Sequence, residues 1–162
     1  MPSFIGWVPT PQECVEAFFE LAPVYENDIV YDLGSGDGRL LIAAAQKGTR
    51  RAVGIELDPK RVAEAVEEVN KHGLQSKISF MHQDVLDVDL SPATVVFCYL
   101  FPTASEALKP KFESELQTGT RVVMESFSIR GWEPEKTLER GGKWFYLYYM
   151  PPKPAVSLLH AG

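Results

Sequence analysis

The sequence predicts a doubly wound α/β fold, with a mostly parallel sheet, helices on both faces and an antiparallel hairpin at its C-terminal end. Three observations predict it. Five short, nearly all-apolar runs alternate with segments whose apolar residues recur at helical spacing, as strands buried on both faces and their crossover helices do. Glycines at 34, 36 and 38 follow the first run and open a helical pattern, the strand–loop–helix of a Rossmann-like nucleotide cradle. Gly141-Gly142 separates two strand-like runs and marks a two-residue hairpin turn.

Thr10-Pro11-Gln12-Glu13 reads as a helix start, with Thr10 as N-cap, Pro11 in the first turn and Glu13 completing a capping box. Val15, Phe18, Phe19 and Ala22 form its apolar face and Pro23 ends it. Ile29–Leu33 is the first strand, and Gly38–Lys47 the first crossover helix, stopped by Gly48. Arg51–Leu57 is the second strand. Asp58-Pro59 caps a long helix with Val62, Ala65, Val66 and Val69 on one face and Gly73 at its end. Lys77–His82 is the third strand, Asp84–Leu90 a short connection and Thr94–Leu100 the fourth strand. Thr103 and Glu106 make a second capping box on a helix that runs toward Leu116, with a break near Pro110. Thr120–Phe127 is the fifth strand; Thr137–Arg140 and Lys143–Met150 form the hairpin. Pro151-Pro152-Lys153-Pro154 marks the end of the fold, so residues 1–150 are read as one domain and 151–162 as a flexible tail.

A chain of 162 residues has enough interior for one real core. Its formal charge of −6 argues against broad nucleic-acid binding, which needs a basic surface. No apolar run approaches the length of a membrane span, and residues 1–7 lack the features of a signal peptide. Cys14 and Cys98 lie far apart in apolar surroundings and read as buried thiols of a reducing, cytoplasmic compartment. His72, His82 and His160 have no metal-ligand spacing, so no metal is expected.

Ligands of open α/β sheets sit beyond the carboxyl ends of the strands. Here those ends carry Asp32–Gly38, Glu56–Asp58, Gln83–Val85, Tyr99–Pro102 and Glu125–Phe127. The loop reads Gly-Ser-Gly-Asp-Gly, with its third glycine one place earlier than in a dinucleotide fingerprint. Asp32 and Asp37 would repel a pyrophosphate but suit a cofactor bearing an ammonium and a sulfonium. The pattern Asp-x-Gly-x-Gly-x-Gly therefore points to S-adenosylmethionine (SAM), with S-adenosylhomocysteine as product. Glu56, at the end of the next strand, can accept from both ribose hydroxyls. Asp84 can accept from an adenine amino group, and Val85 or Leu57 can pack on the ring. Each acid also has a plain structural reading: a loop cap for Asp32, a surface acid for Glu56, the cap of a short helix for Asp84.

With these residues in place, the chain resembles the seven-β-strand class I SAM-dependent methyltransferases, through Val30-Tyr-Asp-Leu-Gly-Ser-Gly-Asp-Gly-Arg39 and Val53-Gly-Ile-Glu-Leu57. Trp7-Val-Pro-Thr-Pro11, Leu108-Lys-Pro-Lys111, Gly119-Thr-Arg-Val-Val123, Ile129-Arg-Gly-Trp-Glu-Pro134 and Tyr146-Leu-Tyr148 resemble more narrowly the small archaeal protein-lysine methyltransferases and the related mitochondrial lysine methyltransferases. The resemblance covers about residues 5 to 150. It implies that Asp32, Gly34, Ser35, Gly36, Asp37, Glu56, Asp84 and Val85 hold SAM. It also implies that Pro9 and Thr10 close the methionine side, so that residues 1–27, with their helix, belong to the site.

Methyl transfer from a sulfonium is an in-line displacement, and the enzyme's work is alignment and exclusion of water. A lysine acceptor must be neutral; with a free pKa of ~10.4 this costs about 4.6 kcal/mol at pH 7. Aromatic walls lower that pKa by desolvation and also hold ammonium groups. Trp7, Tyr99, Phe101, Phe127 and Trp132 are the candidates for such an acceptor channel, each with the alternative of an ordinary core or lid residue. Glu125 either orients the amine or caps its strand. The fourth-strand end, Cys98-Tyr-Leu-Phe-Pro102, lacks both the acid of Mg²⁺-dependent enzymes and the Asn/Asp-Pro-Pro-Tyr of base-amino methylation. The reading is a monomeric protein-lysine N-methyltransferase whose partner is a protein presenting lysine. Two alternatives stay open: a methyltransferase on a small molecule or RNA, and a SAM-binding regulatory module without catalysis.

Overall fold

The protein is represented by a computed structural model that describes residues 10–99 and 102–155. Its elements run α1 (Gln12–Leu21), β1 (Ile29–Leu33), α2 (Arg39–Gln46), β2 (Arg51–Ile55), α3 (Pro59–Lys71), β3 (Ile78–Met81), a 3-10 turn at Val85–Asp87, β4 (Val95–Cys98), α4 (Pro102–Glu115), β5 (Arg121–Glu125), β6 (Trp132–Glu133), β7 (Lys136–Arg140), β8 (Lys143–Tyr149) and β9 (Lys153–Pro154). One seven-stranded sheet has the order β3-β2-β1-β4-β5-β8-β7. The first five strands are parallel, and β8 and β7 join antiparallel. The predicted doubly wound sheet with a C-terminal hairpin is thus the observed architecture. The chain reverses direction across the sheet between β1 and β4, and the ends of these two strands flank the site.

Alternation along each strand sorts the core into two layers. Val30, Val95, Phe97, Val123, Phe145 and Leu147 face α1 and α2, where Phe18 packs at ring-centroid distances of 5.0 Å from Phe97 and 5.2 Å from Phe145. Leu33, Ile55, Val96, Cys98, Val122, Met124 and Tyr148 face the opposite way, onto Leu108 and Phe112 of α4. Central strands apolar on both faces are what a parallel sheet covered by helices requires. Gly141 and Gly142 both have positive φ, +62° and +76°, and close the β7–β8 hairpin as the sequence predicts.

Several local expectations need correction. Helix α1 begins one residue later than predicted: Pro11 is its N-cap, no side chain caps it, and Thr10 stands outside it. The capping box fails because Pro11, extended at ψ 152°, shifts the frame by one residue. Likewise α4 starts at Pro102, which places Thr103 inside the first turn rather than at the cap, and it continues through Pro110 without ending. Pro110 removes one backbone bond to the carbonyl of Glu106, an exposed residue that water can serve. Val66 is exposed, and Ala65 and Val69 alone form the buried seam of α3. The fold does not end at residue 150: Lys153 and Pro154 pair antiparallel with Glu133 and Trp132. Residues 156–162 of the predicted tail lie outside the described residues.

Candidate functional site

The glycine loop is fastened to the end of β2 from below. The N–H groups of Gly34 and Ser35 donate to the carbonyl of Ile55 at 2.8 and 3.1 Å, and that of Gly36 donates to Glu56 Oε1 at 2.8 Å. Gly34, Gly36 and Gly38 take φ of +87°, +56° and +83°, values that side-chain-bearing residues avoid, so the loop can turn sharply back into α2. The close approach also requires Gly54: a Cβ there would stand 2.7 Å from Ser35 Oγ and 2.6 Å from Leu41 Cδ1.

Above the loop is a cleft lined by Thr10, Asp32, Gly34, Ser35, Asp37, Arg39, Leu40 and Tyr99. Five of the predicted cofactor residues meet there: Thr10, Asp32, Gly34, Ser35 and Asp37. Asp32 Oδ1 and Ser35 Oγ are buried with no partner. An unpaired buried polar atom is costly, and a ligand donor in the cleft would satisfy Asp32, whereas Ser35 Oγ is turned down toward Gly54. Burial pushes the Asp32 carboxyl up to about 8, with smaller contributions from the charges of Glu56 and Asp37. A buried carboxyl that ionises when a cation is placed against it suits a cationic ligand, and carboxyls at the loop reject a pyrophosphate. The cleft thus fits the ammonium end of SAM.

Asp37 forms a bidentate pair with Arg39, Nη2 to Oδ2 at 2.6 Å, and Arg39 Nη1 donates to the Thr10 carbonyl at 2.8 Å. Arg39 thereby ties the loop to Thr10, the residue two before α1, which lines the cleft. Arg39 is not among the residues that the sequence singles out for the site; its place directly after the third glycine is the signal that marks it.

Glu56 is buried and accepts three bonds within the protein, Oε1 from Gly36 and Oε2 from the N–H groups of Leu57 and Asp58 at 3.1 Å each, which leaves Oε1 acceptor capacity for a ligand. It is no surface acid. Leu57 is 62% exposed and Leu86 46% exposed, apolar surface at the ends of β2 and β3 where a ring could lie. Asp84 is exposed and caps the 3-10 turn through Leu86 N–H at 3.0 Å, with half-buried Val85 beside it. The structural reading of Asp84 is therefore realised, which leaves its second oxygen for a ligand.

On the acceptor side, Tyr99 follows β4 and shares the cleft wall with Asp32. Phe127 is two residues past β5 and 37% exposed. Trp132 is a correction: it is buried on the opposite face of the sheet, 5.5 Å from Tyr148 and 6.4 Å from Phe112 by ring centroids, and cannot reach the cleft. Trp7, Pro9 and Phe101 lie outside the described residues. Two residues with no predicted or only an undecided role stand out here. Lys143, at the start of β8, places Nζ 4.9 Å over the Tyr99 ring, 3.3 Å from its hydroxyl and 3.6 Å from Glu125 Oε1. Glu125, 1% exposed, also accepts from Ser126 Oγ, and Ser126 has the left-handed φ of +73°. Among the described residues no cluster of three or more His, Cys, Asp or Glu could hold a metal ion, and no helix is long and apolar enough to cross a membrane.

Residues 32–136 match the ANTKMT methyltransferase domain family. A protein-lysine N-methyltransferase of Saccharolobus islandicus is 43% identical over 83% of this chain and 84% of its own length. The mouse adenine nucleotide translocase lysine N-methyltransferase is 34% identical over 72% of this chain, which spans about half (51%) of that protein. A Salinibacter ruber structure described as an RNA methyltransferase in complex with S-adenosylhomocysteine is 41% identical, with a TM-score of 0.85 over 89% of this chain and 94% of that one. The order of the sheet, the acid-and-glycine loop and these relatives agree: the chain belongs to the ANTKMT methyltransferase domain family, a branch of the class I SAM-dependent methyltransferases.

Proposed function

We propose that this methyltransferase modifies the side-chain amine of lysine in a protein substrate, in the cytoplasm and as a monomer. The observation that carries the reading is Tyr99, whose ring forms a wall common to the Asp32 cleft and to a bound ammonium, that of Lys143. The archaeal and mouse relatives carry lysine in their names. The two cysteines are free and buried, as a reducing compartment would leave them.

In this reading Asp32, Ser35 and the glycine loop hold the methionine end of SAM, Glu56 takes the ribose, and Leu57, Asp84 and Val85 take the adenine. Bound SAM supplies a methyl group on a positively charged sulfur. The chain's own residues align the acceptor and keep water out. Tyr99 and Phe127, with Trp7 and Phe101 as further members, desolvate the incoming amine. Desolvation favours the neutral form, whose lone pair is the nucleophile. No strong base is required, because desolvation lowers the amine's pKa and its proton passes to water before transfer; alignment then contributes up to ~7–11 kcal/mol.

The Salinibacter ruber relative, described as an RNA methyltransferase, favours RNA as a second reading. The net charge of −6 weighs against it. Incubating protein and RNA fractions of a lysate with the enzyme and heavy-methyl SAM separates the two. Methyl-lysine in defined peptides supports the proposal; label confined to RNA overturns it, and label nowhere favours a SAM-binding module without catalysis. Gel filtration tests the monomer, and imaging of a tagged chain in its cells tests the location.

A further inference from the structure

Asp32, Tyr99, Glu125 and Lys143 stand in a row on one face of the sheet, at the site ends of β1, β4, β5 and β8, four strands adjacent in the sheet order. Strand alternation aligns them with Val30, Phe97, Val123 and Phe145, all of which pack in the layer under α1. The row begins in the cofactor cleft and ends at a lysine.

Glu125 is the member without a satisfactory structural role. Its carboxyl is 1% exposed, and Oε2 is buried with no partner. Its other oxygen meets Ser126 and Lys143. The Lys143 ammonium has three contacts: a carboxylate at 3.6 Å, an aromatic face at 4.9 Å and a phenol oxygen at 3.3 Å. These are the contacts that recognise an alkylammonium group. Lys143 itself is 32% exposed by side chain and follows the two-glycine turn, so it can swing out to water, whereas Glu125 cannot.

We infer that Tyr99 and Glu125 form the binding site for the acceptor's alkylammonium group, and that Lys143 is an internal occupant which the acceptor displaces. The inference rests on the lysine reading for the identity of the ligand. A site filled by its own lysine binds an external amine more weakly, in proportion to the fraction of time it stands open. Displacement thus selects acceptors with enough other contacts to compete, and a free short amine enters only at high concentration.

The test uses n-butylammonium as probe and the full chain saturated with S-adenosylhomocysteine. Lys143→Met should bind the probe at least about tenfold more tightly than wild type by NMR titration. Lys143→Arg, which keeps a cation in place, should bind as wild type does. Glu125→Gln added to Lys143→Met should abolish the gain. Equal or weaker binding by Lys143→Met, with its melting transition retained, overturns the inference. Should that variant not fold, the wild-type chain reports directly: ¹³C-methyl groups placed on Lys143 by reductive methylation should lose their Tyr99 ring-current shift as the probe saturates, and an unmoved signal overturns the inference. Neither readout involves methyl transfer. A chain that passes them but labels no protein lysine would overturn the lysine reading alone.

Discussion

Glu56 holds Gly36: its Oε1 accepts the glycine N–H at 2.8 Å, while Oε2 accepts from Leu57 and Asp58. One carboxylate at the end of β2 thereby fixes the loop at the end of β1 and the entry to α3. Glu56→Ala leaves three N–H groups without this acceptor. A lost acceptor leaves a buried donor at a cost of roughly 1–3 kcal/mol. We expect a lower melting temperature by calorimetry and a SAM affinity reduced at least about tenfold, equivalent to ~1.4 kcal/mol. Unchanged affinity with the fold retained would remove Glu56 from the cofactor site.

Asp32 ties stability and binding to pH. Burial first, then the Glu56 and Asp37 charges, raise its carboxyl to about 8, against an ordinary 3.8. The folded ligand-free chain therefore keeps a proton on Asp32 that the unfolded chain has lost. This group's contribution to stability is full below pH 3.8 and is lost as pH rises through 8. An ammonium placed against Asp32 reverses the balance, so SAM binding at pH 7 should release a proton from Asp32. Binding enthalpies measured in phosphate and in Tris should therefore differ, in the direction set by the buffers' ionisation enthalpies. Asp32→Asn should erase the difference and weaken SAM binding.

Tyr99 stands between cleft and acceptor. Tyr99→Ala should lower kcat on a lysine substrate by up to about 10²-fold, through misplacement of the amine, and change SAM affinity little. Tyr99→Phe keeps the ring face and should retain most of the turnover. Equal losses in kcat and in SAM affinity, measured by steady-state kinetics and calorimetry, would place Tyr99 on the cofactor instead.

Gly54 should tolerate no side chain. An added Cβ meets Leu41 at 2.6 Å, Ser35 Oγ at 2.7 Å and Phe80 at 2.8 Å. Gly54→Ala should destabilise the fold by roughly 1–3 kcal/mol, as overpacking a tight core does. Because Ser35 is one of the crowded atoms, SAM affinity should fall with it. A melting temperature equal to wild type would show that the loop moves freely off β2.

By itself the sequence determined the fold class, the sheet's parallel half, the hairpin turn and the glycine loop. These depend on neighbours in sequence: apolar runs mark buried strands, and only glycine turns as residues 34–38 and 141–142 do. It also singled out Asp32 and Glu56, because acids at successive strand ends beside a glycine loop converge on one place, although each alone has a plain structural use. Thr10 and Thr103 misled as caps, since the prolines beside them set where each helix begins. Trp132 misled as a channel wall, because which face of the molecule an aromatic residue joins depends on chain returning from far away, here the β9 strand paired to it. Tertiary structure alone placed Lys143 beside Tyr99 and Glu125. Those three residues come from β8, the end of β4 and β5, separated by up to 44 residues and joined only by the antiparallel entry of β8 into the sheet. Local propensity carries no record of that pairing, since the charge and ring contacts that define the acceptor side form only after the strands have assembled.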